Sequence, residues 1–299
     1  MKRLNRVFYP SLVIIMLAVL SSACSQAGLA VINLWAKAGS FEASPSIAYG
    51  EHRLQTLDVY RPSALANSKD AQAPVLVFFY GGCWGGCNTY EKAHYRFVAD
   101  TFTAAGYVVV IADYRRYPDV LIEPILQDAA AATRWVTEHI ADYNGNPDQI
   151  YLAGHSAGAH LAVMTLLDQS RLTSAQREQI AGFIGLAGPY DFLPFTEPYQ
   201  EKLFAPEANY PSTQPINWVT GTEPPMLLLW GDADSSVYEK NIVNMAAKIE
   251  QLGGQVQTHI YPAMDHVEIL TRLARPFKNK ASVVDDIRAF IANTPEGVR

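Results

Sequence analysis

The stretch "QIYLAGHSAGAHLAVMTLL", residues 149–167, joins an apolar run to a helical pattern through five residues of the form G-x-S-x-G. The short run before Gly154 is typical of a buried strand, and the apolar residues after Gly158 predict a helix. A serine at such a strand–turn–helix junction sits on a tight turn that raises its hydroxyl above the edge of a sheet. We therefore interpret Ser156 as a candidate nucleophile rather than as an ordinary N-cap residue.

The flanking sequence repeats the same alternation of strands and helices. Apolar runs such as "APVLVFFY", "YVVVIADY" and "PMLLLWGDAD" alternate with helical patterns, which favours a parallel sheet with helical crossovers. "SIAYGEHRLQTLDVYRP", residues 46–62, alternates apolar and polar residues around a turn and predicts an antiparallel hairpin. The expected fold class is α/β, with a mostly parallel central sheet, an N-terminal antiparallel hairpin and flanking helices.

One segment breaks this rhythm. Residues 192–224 hold six prolines and several aromatic residues but no clear strand. A long connection of this kind is often a binding loop or lid, and the alternative is a helical insertion that only covers the sheet.

The bulk composition excludes some functions. The chain has 299 residues, of which 49% are hydrophobic and 17% charged, with a formal net charge of −6, and no repeat is visible. Basic residues cluster only in the first six positions, so a nucleic-acid partner is not expected. The cysteines have no histidines at ligand spacing, and we expect neither a metal nor an organic cofactor.

The N-terminus has the pattern of a targeting segment. The basic "MKRLNR" precedes the apolar "SLVIIMLAVL" and then the small residues of "SSACS". This resembles a bacterial lipoprotein signal in which Cys24 becomes lipidated, although Ser21 stands where a leucine is usual. The alternatives are a secretory signal cleaved near Ala27 or an uncleaved anchor.

This pattern gives the expected division of the chain. Residues 1–23 are a signal peptide, 24–45 a poorly structured tether, and 46–299 one domain. We expect an exported lipoprotein anchored to a bacterial membrane, or else a soluble secreted or periplasmic protein.

A serine nucleophile needs a base, and the base needs an orienting carboxylate. When the serine lies in a G-x-S-x-G turn between a strand and a helix, the acid and the histidine are expected later in the chain, each after a late strand. His266 follows the strand pattern that ends near residue 261, and the other six histidines fit this order poorly. Asp234 follows the strand "PMLLLWG" and is the candidate acid, with Asp232 as the reserve, while Asp265 is expected to point away from the imidazole.

The glycine-rich loop "YGGCWGGC", residues 80–87, follows an early strand. Acyl transfer develops negative charge on the carbonyl oxygen, which preorganised N–H groups stabilise. The glycines would let this backbone turn its amides inward, so Gly82 and Cys83 are the expected donors, together with Ala157 after the serine.

Cys83 and Cys87 lie in the same loop. After export, with Cys24 lipidated, they would be the two remaining thiols in an oxidising compartment, where disulfides persist. A disulfide between them is slightly favoured over two unpaired small side chains.

With these motifs in place, the chain resembles the α/β-hydrolase superfamily. Within it, the chain is similar to the bacterial esterase branch related to hormone-sensitive lipase and kynurenine formamidase. The resemblance runs from about Tyr49 to Ile291 and rests on "YGEHRLQTLDVYRP", "YGGCW", "DYRRYP", "NGNPDQIYLAGHSAGAHLA", "GDAD" and "DH". Tyr80 departs from it, because a histidine that braces the loop is usual there.

The resemblance and the residues together imply a serine carboxylesterase that hydrolyses small carboxylic esters through an acyl-enzyme. Ser156 would be the nucleophile, His266 the base and Asp234 the orienting acid. One alternative is an arylformamidase or other amide hydrolase with the same triad. A second alternative, from another class, is a non-catalytic binding protein with this fold.

Overall fold

The structure is a computed structural model that describes residues 28–34, 36, 39, 41–65 and 71–294. The expected signal peptide and the expected lipidation site at Cys24 lie outside the described residues. Among the helices that are described, none combines the length and apolar character needed to cross a bilayer.

Eight strands form one sheet in the order β1-β2-β4-β3-β5-β6-β7-β8. Strand β2 pairs antiparallel with both β1 and β4, and every other neighbouring pair is parallel. The expected α/β fold with an N-terminal antiparallel hairpin is thus confirmed. The strands are β1 Phe41–Ala48, β2 Thr56–Pro62, β3 Ala73–Phe79, β4 Val108–Ala112, β5 Gly145–His155, β6 Ile180–Leu186, β7 Met226–Gly231 and β8 Val256–Tyr261.

Helices occupy most of the connections between the parallel strands, which need crossovers of this length. The first, α1, comprises residues 28–34. The others are α2 Arg96–Ala104, α3 Ile122–His139, α4 Ala157–Leu167, α5 Ser174–Glu178, α6 Pro198–Leu203, α7 Lys240–Gln251, α8 Glu268–Thr271 and α9 Val283–Asn293. Short 3₁₀ helices lie at Cys83–Gly85, Lys92–Tyr95, Ile140–Tyr143, Glu207–Thr213, Pro215–Trp218 and Lys278–Lys280.

The centre of the sheet is the core of the molecule. All five residues of β4 and all six of β7 are buried, which explains their continuous apolar sequence. Helix α4 is buried along its whole length because it is apolar on all sides. The nucleophile motif therefore stands between the buried carboxyl end of β5 and the fully buried helix α4.

The N-terminal part of the described chain differs from the expectation of a poorly structured segment up to residue 45. Helix α1 buries Leu29 and Ile32, and Asn33 of α1 donates a 2.6 Å hydrogen bond to the carbonyl of His94. Strand β1 begins at Phe41, so regular structure starts before the expected boundary. Pro45 obscured this strand in the sequence, and it is accommodated because β1 is an edge strand with a bulge between Ser44 and Ile47.

Candidate active site

Ser156 lies between the end of β5 and the start of α4, as the G-x-S-x-G pattern predicts. Its backbone is in the strained region with φ 55° and ψ −126°. Glycine is required on both sides: a Cβ at Gly158 would overlap the carbonyl oxygen of Phe79, and a Cβ at Gly154 would overlap the backbone of Gly158. The sharp turn thus depends on the close packing of α4 against β5 and β3.

A continuous chain of hydrogen bonds leads away from this serine. Ser156 Oγ lies 2.9 Å from Nε2 of His266, and Nδ1 of His266 lies 2.7 Å from Oδ2 of Asp234. The three residues follow β5, β8 and β7 respectively, so the carboxyl ends of these parallel strands bring them together. The arrangement can relay a proton from the serine hydroxyl to the imidazole.

The environment of Asp234 keeps it ionised. Its side chain is fully buried, and burial alone would raise its pKa. Hydrogen bonding and charge from His266, with N–H bonds from Val237 and Ser236 at 2.9 and 2.8 Å, outweigh burial and hold the pKa below its ordinary value. A buried carboxylate is suited to orienting an imidazole and stabilising its protonated form.

The other two carboxylates considered for the role of the acid, Asp232 and Asp265, form hydrogen bonds with backbone N–H groups instead. Asp232 accepts a 2.6 Å hydrogen bond from the N–H of Ala263, and Asp265 accepts bonds from the N–H groups of Val267 and Glu268. They stabilise the loops around the site, and neither forms a hydrogen bond with the imidazole of His266.

The glycine-rich loop approaches the serine closely. A Cβ placed at Gly81 would be 3.0 Å from Cβ of Ser156, so the backbone could not come as near with a side chain at this position. Gly82 has a φ of 123°, which favours glycine. Cys83 begins a 3₁₀ helix as Ala157 begins α4, and the first N–H of a helix has no acceptor within that helix. Both amides are therefore free of helical pairing beside the candidate nucleophile.

Two features brace this loop. A disulfide joins Cys83 to Cys87 across the turn. At the other end, Tyr80 is fully buried and stacks between the rings of Tyr95 and Tyr114, with both ring centroids 4.9 Å away. The Tyr114 hydroxyl also donates a 2.7 Å hydrogen bond to the carbonyl oxygen of Tyr80.

Two histidines that flank the serine in the sequence hold neighbouring parts of the site. His155 Nε2 donates a 2.8 Å hydrogen bond to the carbonyl of His266 and so fixes the loop that carries the base. His160 Nδ1 accepts from the indole N–H of Trp84 at 3.2 Å, and its Nε2 donates to the carbonyl of Thr213 at 2.9 Å. Burial lowers the pKa of His155 to about 3 and that of His160 to about 4, so both imidazoles are neutral near pH 7.

A cleft of about 280 Å³ opens in front of Ser156 and His266. Aromatic residues contribute from the glycine-rich loop, from the 192–224 segment and from the loop after β7; they are Trp84, Phe192, Tyr199 and Tyr238. The 192–224 segment contains short helices and supplies Phe192, Tyr199 and Gln200 to the wall, so it does more than cover the sheet. Within the described residues, no three histidine, cysteine, aspartate or glutamate side chains are grouped so that they could hold a metal ion.

The chain is similar to esterases and related hydrolases. It is 28% identical over 249 residues to a probable isoprenylcysteine α-carbonyl methylesterase of Arabidopsis thaliana, covering 75% of this chain and 51% of the relative. It is 27% identical to the probable carboxylic ester hydrolase LipM of Mycobacterium tuberculosis, covering 70% and 52%. The chain thus spans about half the length of these two relatives. Kynurenine formamidase of Drosophila melanogaster is 24% identical, with 76% of each chain covered.

Solved structures agree on the fold. Esterase B from Lactobacillus rhamnosis superimposes with a TM-score of 0.72 at 19% identity, over 93% of this chain and 95% of that structure. The sheet topology and this likeness together identify the α/β-hydrolase fold. The model of the BD-FAE family matches residues 57–249, well over half of the chain, and the protein therefore belongs to the BD-FAE family.

Proposed function

We propose that this chain is a serine carboxylesterase that hydrolyses small carboxylic esters through an acyl-enzyme on Ser156. The strongest support is the continuous hydrogen-bonded chain from Ser156 through His266 to the buried Asp234, at 2.9 and 2.7 Å. The esterases among its relatives and structural neighbours support the same reaction class.

In the proposed first step, Ser156 Oγ attacks the ester carbonyl carbon while His266 Nε2 takes the hydroxyl proton. Asp234 keeps Nδ1 of the imidazole protonated and stabilises the positive charge that forms on the ring. The tetrahedral intermediate then collapses, His266 gives its proton to the leaving alcohol, and the acyl group remains on Ser156.

Negative charge on the carbonyl oxygen is stabilised by the N–H groups of Gly82, Cys83 and Ala157. The free position of the first amide of α4 and of the 3₁₀ helix at Cys83 supports this role. In the second step, His266 removes a proton from water while the water oxygen attacks the acyl carbon. When this intermediate collapses, the bond to Ser156 Oγ breaks, His266 returns the proton to that oxygen, and the acid leaves.

A second candidate reaction is the hydrolysis of an aryl formamide by the same residues. The similarity to the fruit-fly kynurenine formamidase over three quarters of each chain favours its inclusion. The chemistry differs only in the leaving group, which is an aromatic amine instead of an alcohol.

We also propose that the protein is exported and held to a bacterial membrane by a lipid on Cys24. The disulfide between Cys83 and Cys87 supports an oxidising compartment, since such bonds are rare in the reducing cytosol. Mass spectrometry of the protein from a membrane fraction would detect the diacylated cysteine, and an intact Met1 would contradict the proposal.

The reaction is tested with a fluorophosphonate probe, which labels activated serines. Wild type and a Ser174→Ala control, which alters an exposed serine of α5, should label equally, while Ser156→Ala should not label. Equal labelling of Ser156→Ala would refute the catalytic role and favour a binding protein. Faster cleavage of N-formylkynurenine than of short p-nitrophenyl esters would favour the formamidase.

A further inference from the structure

Lys240 is the one cationic residue among those that line the candidate cleft in the described structure. It is the first residue of α7 and is half-buried. Its Nζ donates a 2.6 Å hydrogen bond to the carbonyl oxygen of Leu193, at the start of the 192–224 segment. An ammonium group carries three N–H donors, so this contact uses only one of them.

No acidic side chain neutralises this charge from the wall of the cleft. None of the cleft-lining residues that the structure describes is an aspartate or glutamate, and Lys240 forms no ion pair within that part of the chain. Asp234 lies behind His266 and is occupied by the imidazole and two backbone N–H groups.

Three further acids lie close in the sequence to Lys240 or to its acceptor Leu193. Asp191 accepts a 2.6 Å hydrogen bond from Asn244, and Glu197 and Glu239 are exposed to solvent. The cleft therefore combines aromatic walls with one positive charge that a bound molecule can approach.

From this arrangement we propose that Lys240 forms an anion subsite, and that the preferred substrates are esters that also carry a carboxylate. The inference rests on the proposed esterase function. A carboxylate that meets a half-buried ammonium forms a charge-assisted hydrogen bond, which is stronger than a neutral one. A neutral ester of the same shape gains no such bond.

The test compares matched pairs of esters that differ in a carboxylate and its neutral amide. Monoethyl succinate and ethyl succinamate place the difference on the acid side of the ester. 4-Acetoxybenzoate and 4-acetoxybenzamide place it on the alcohol side. For each pair, kcat/KM is measured for wild type, Lys240→Gln, Lys240→Arg and the control Lys248→Gln, which removes a lysine from the same helix outside the cleft.

We expect wild type to prefer the carboxylate in at least one pair. Lys240→Gln should lower that preference about 10-fold, the size of a 1.4 kcal/mol interaction, since charge-assisted bonds are worth this much or more. Lys240→Arg should keep most of the preference and Lys248→Gln all of it. Added salt should weaken the wild-type preference, because the subsite is half-exposed.

If Lys240→Gln lowered kcat/KM equally for the carboxylate and the amide of a pair, the anion subsite would be overturned. Lys240 would then serve only to hold the backbone at Leu193. Equal rates for both members of both pairs in wild type would overturn it as well. Failure of the esterase proposal looks different, because wild type would then also fail to cleave neutral esters or to label at Ser156.

Discussion

The hydroxyl of Tyr80 donates a 2.7 Å hydrogen bond to Oδ1 of Asp113, a residue just beyond the end of β4. Oδ2 of Asp113 lies 3.0 Å from Nζ of Lys92, and Oδ1 also accepts from the backbone N–H of Lys92 at 2.7 Å. A tyrosine thus occupies the position where the resemblance expects a histidine, and it anchors the glycine-rich loop to a buried ion pair. This anchor connects the loop to two neighbouring strands, since β4 pairs with β3.

Tyr80→Phe should therefore lower kcat about 10-fold with little change in KM. This decrease in kcat is smaller than the roughly 10²–10³-fold decrease caused by loss of an oxyanion donor, because the substitution loosens the loop but removes no donor. Tyr151→Phe is the matched control, since Tyr151 lies on the adjacent strand β5 and its buried hydroxyl donates to the carbonyl of Ile291 in α9. Both variants should lose about 1 kcal/mol of stability. Equal kcat values for the two would show that Tyr80 has only a structural role.

Asp234→Asn should reduce kcat by about 10⁴, because the amide would favour the wrong tautomer of His266. Asp232→Asn should retain kcat to within about 3-fold, since its carboxylate binds the N–H of Ala263 instead of the imidazole. Steady-state kinetics on p-nitrophenyl acetate measure both. The reverse ranking would assign the role of the acid to Asp232.

Reduction of the Cys83–Cys87 disulfide should lower kcat about 10-fold, because it releases a loop that carries a proposed oxyanion donor. The double variant Cys83→Ser/Cys87→Ser should start at the lower rate and be insensitive to dithiothreitol. Thiol titration with Ellman's reagent confirms that the bond has opened. Full activity of wild type with two titratable thiols would contradict the bracing role of the bridge.

The buried His160 should make folding stability depend on pH. Its pKa is about 4 in the folded protein, against an ordinary value of 6.5, so between these limits the unfolded chain binds a proton that the folded one does not. The free energy of unfolding should accordingly rise with pH across this window, by up to ~1.4 kcal/mol per pH unit for this residue.

Denaturant unfolding at pH 5, 6 and 7 tests this contribution. His160→Gln should flatten the slope, whereas His139→Gln, which alters an exposed histidine at the end of α3, should leave it unchanged. An unaltered slope in His160→Gln would mean that other groups control the acid sensitivity.

The sequence predicts the central strands well, because continuous apolar runs and their order follow directly from burial on both faces of a parallel sheet. It predicts that Ser156, Asp234 and His266 lie together, because each follows a predicted strand and they occur in the chain order that is characteristic of α/β hydrolases. The first part of strand β1, residues 41–45, and helix α1 were expected to be poorly structured, because Ser44 and Pro45 interrupt the alternation of β1 and the contacts of α1 are tertiary.

The hydrogen-bond partners of His155 and His160 could not be read from the sequence for the same physical reason. Their hydrogen-bond partners, His266 and Thr213, lie 111 and 53 residues further along the chain. Likewise, the sequence showed that Tyr80 departs from the usual histidine, but its acceptor Asp113 lies 33 residues away and only the folded chain identifies it.

The long connection between β6 and β7 helps to shape the cleft but carries none of the three candidate catalytic residues. It contributes Phe192, Tyr199 and Gln200 to the wall of the cleft, whereas Ser156, Asp234 and His266 all lie outside it. During evolution, this connection can accumulate substitutions that change which ester substrates are preferred, while the positions of the catalytic residues do not change. Laboratory recombination of this single segment between homologues is accordingly a direct route to new selectivity.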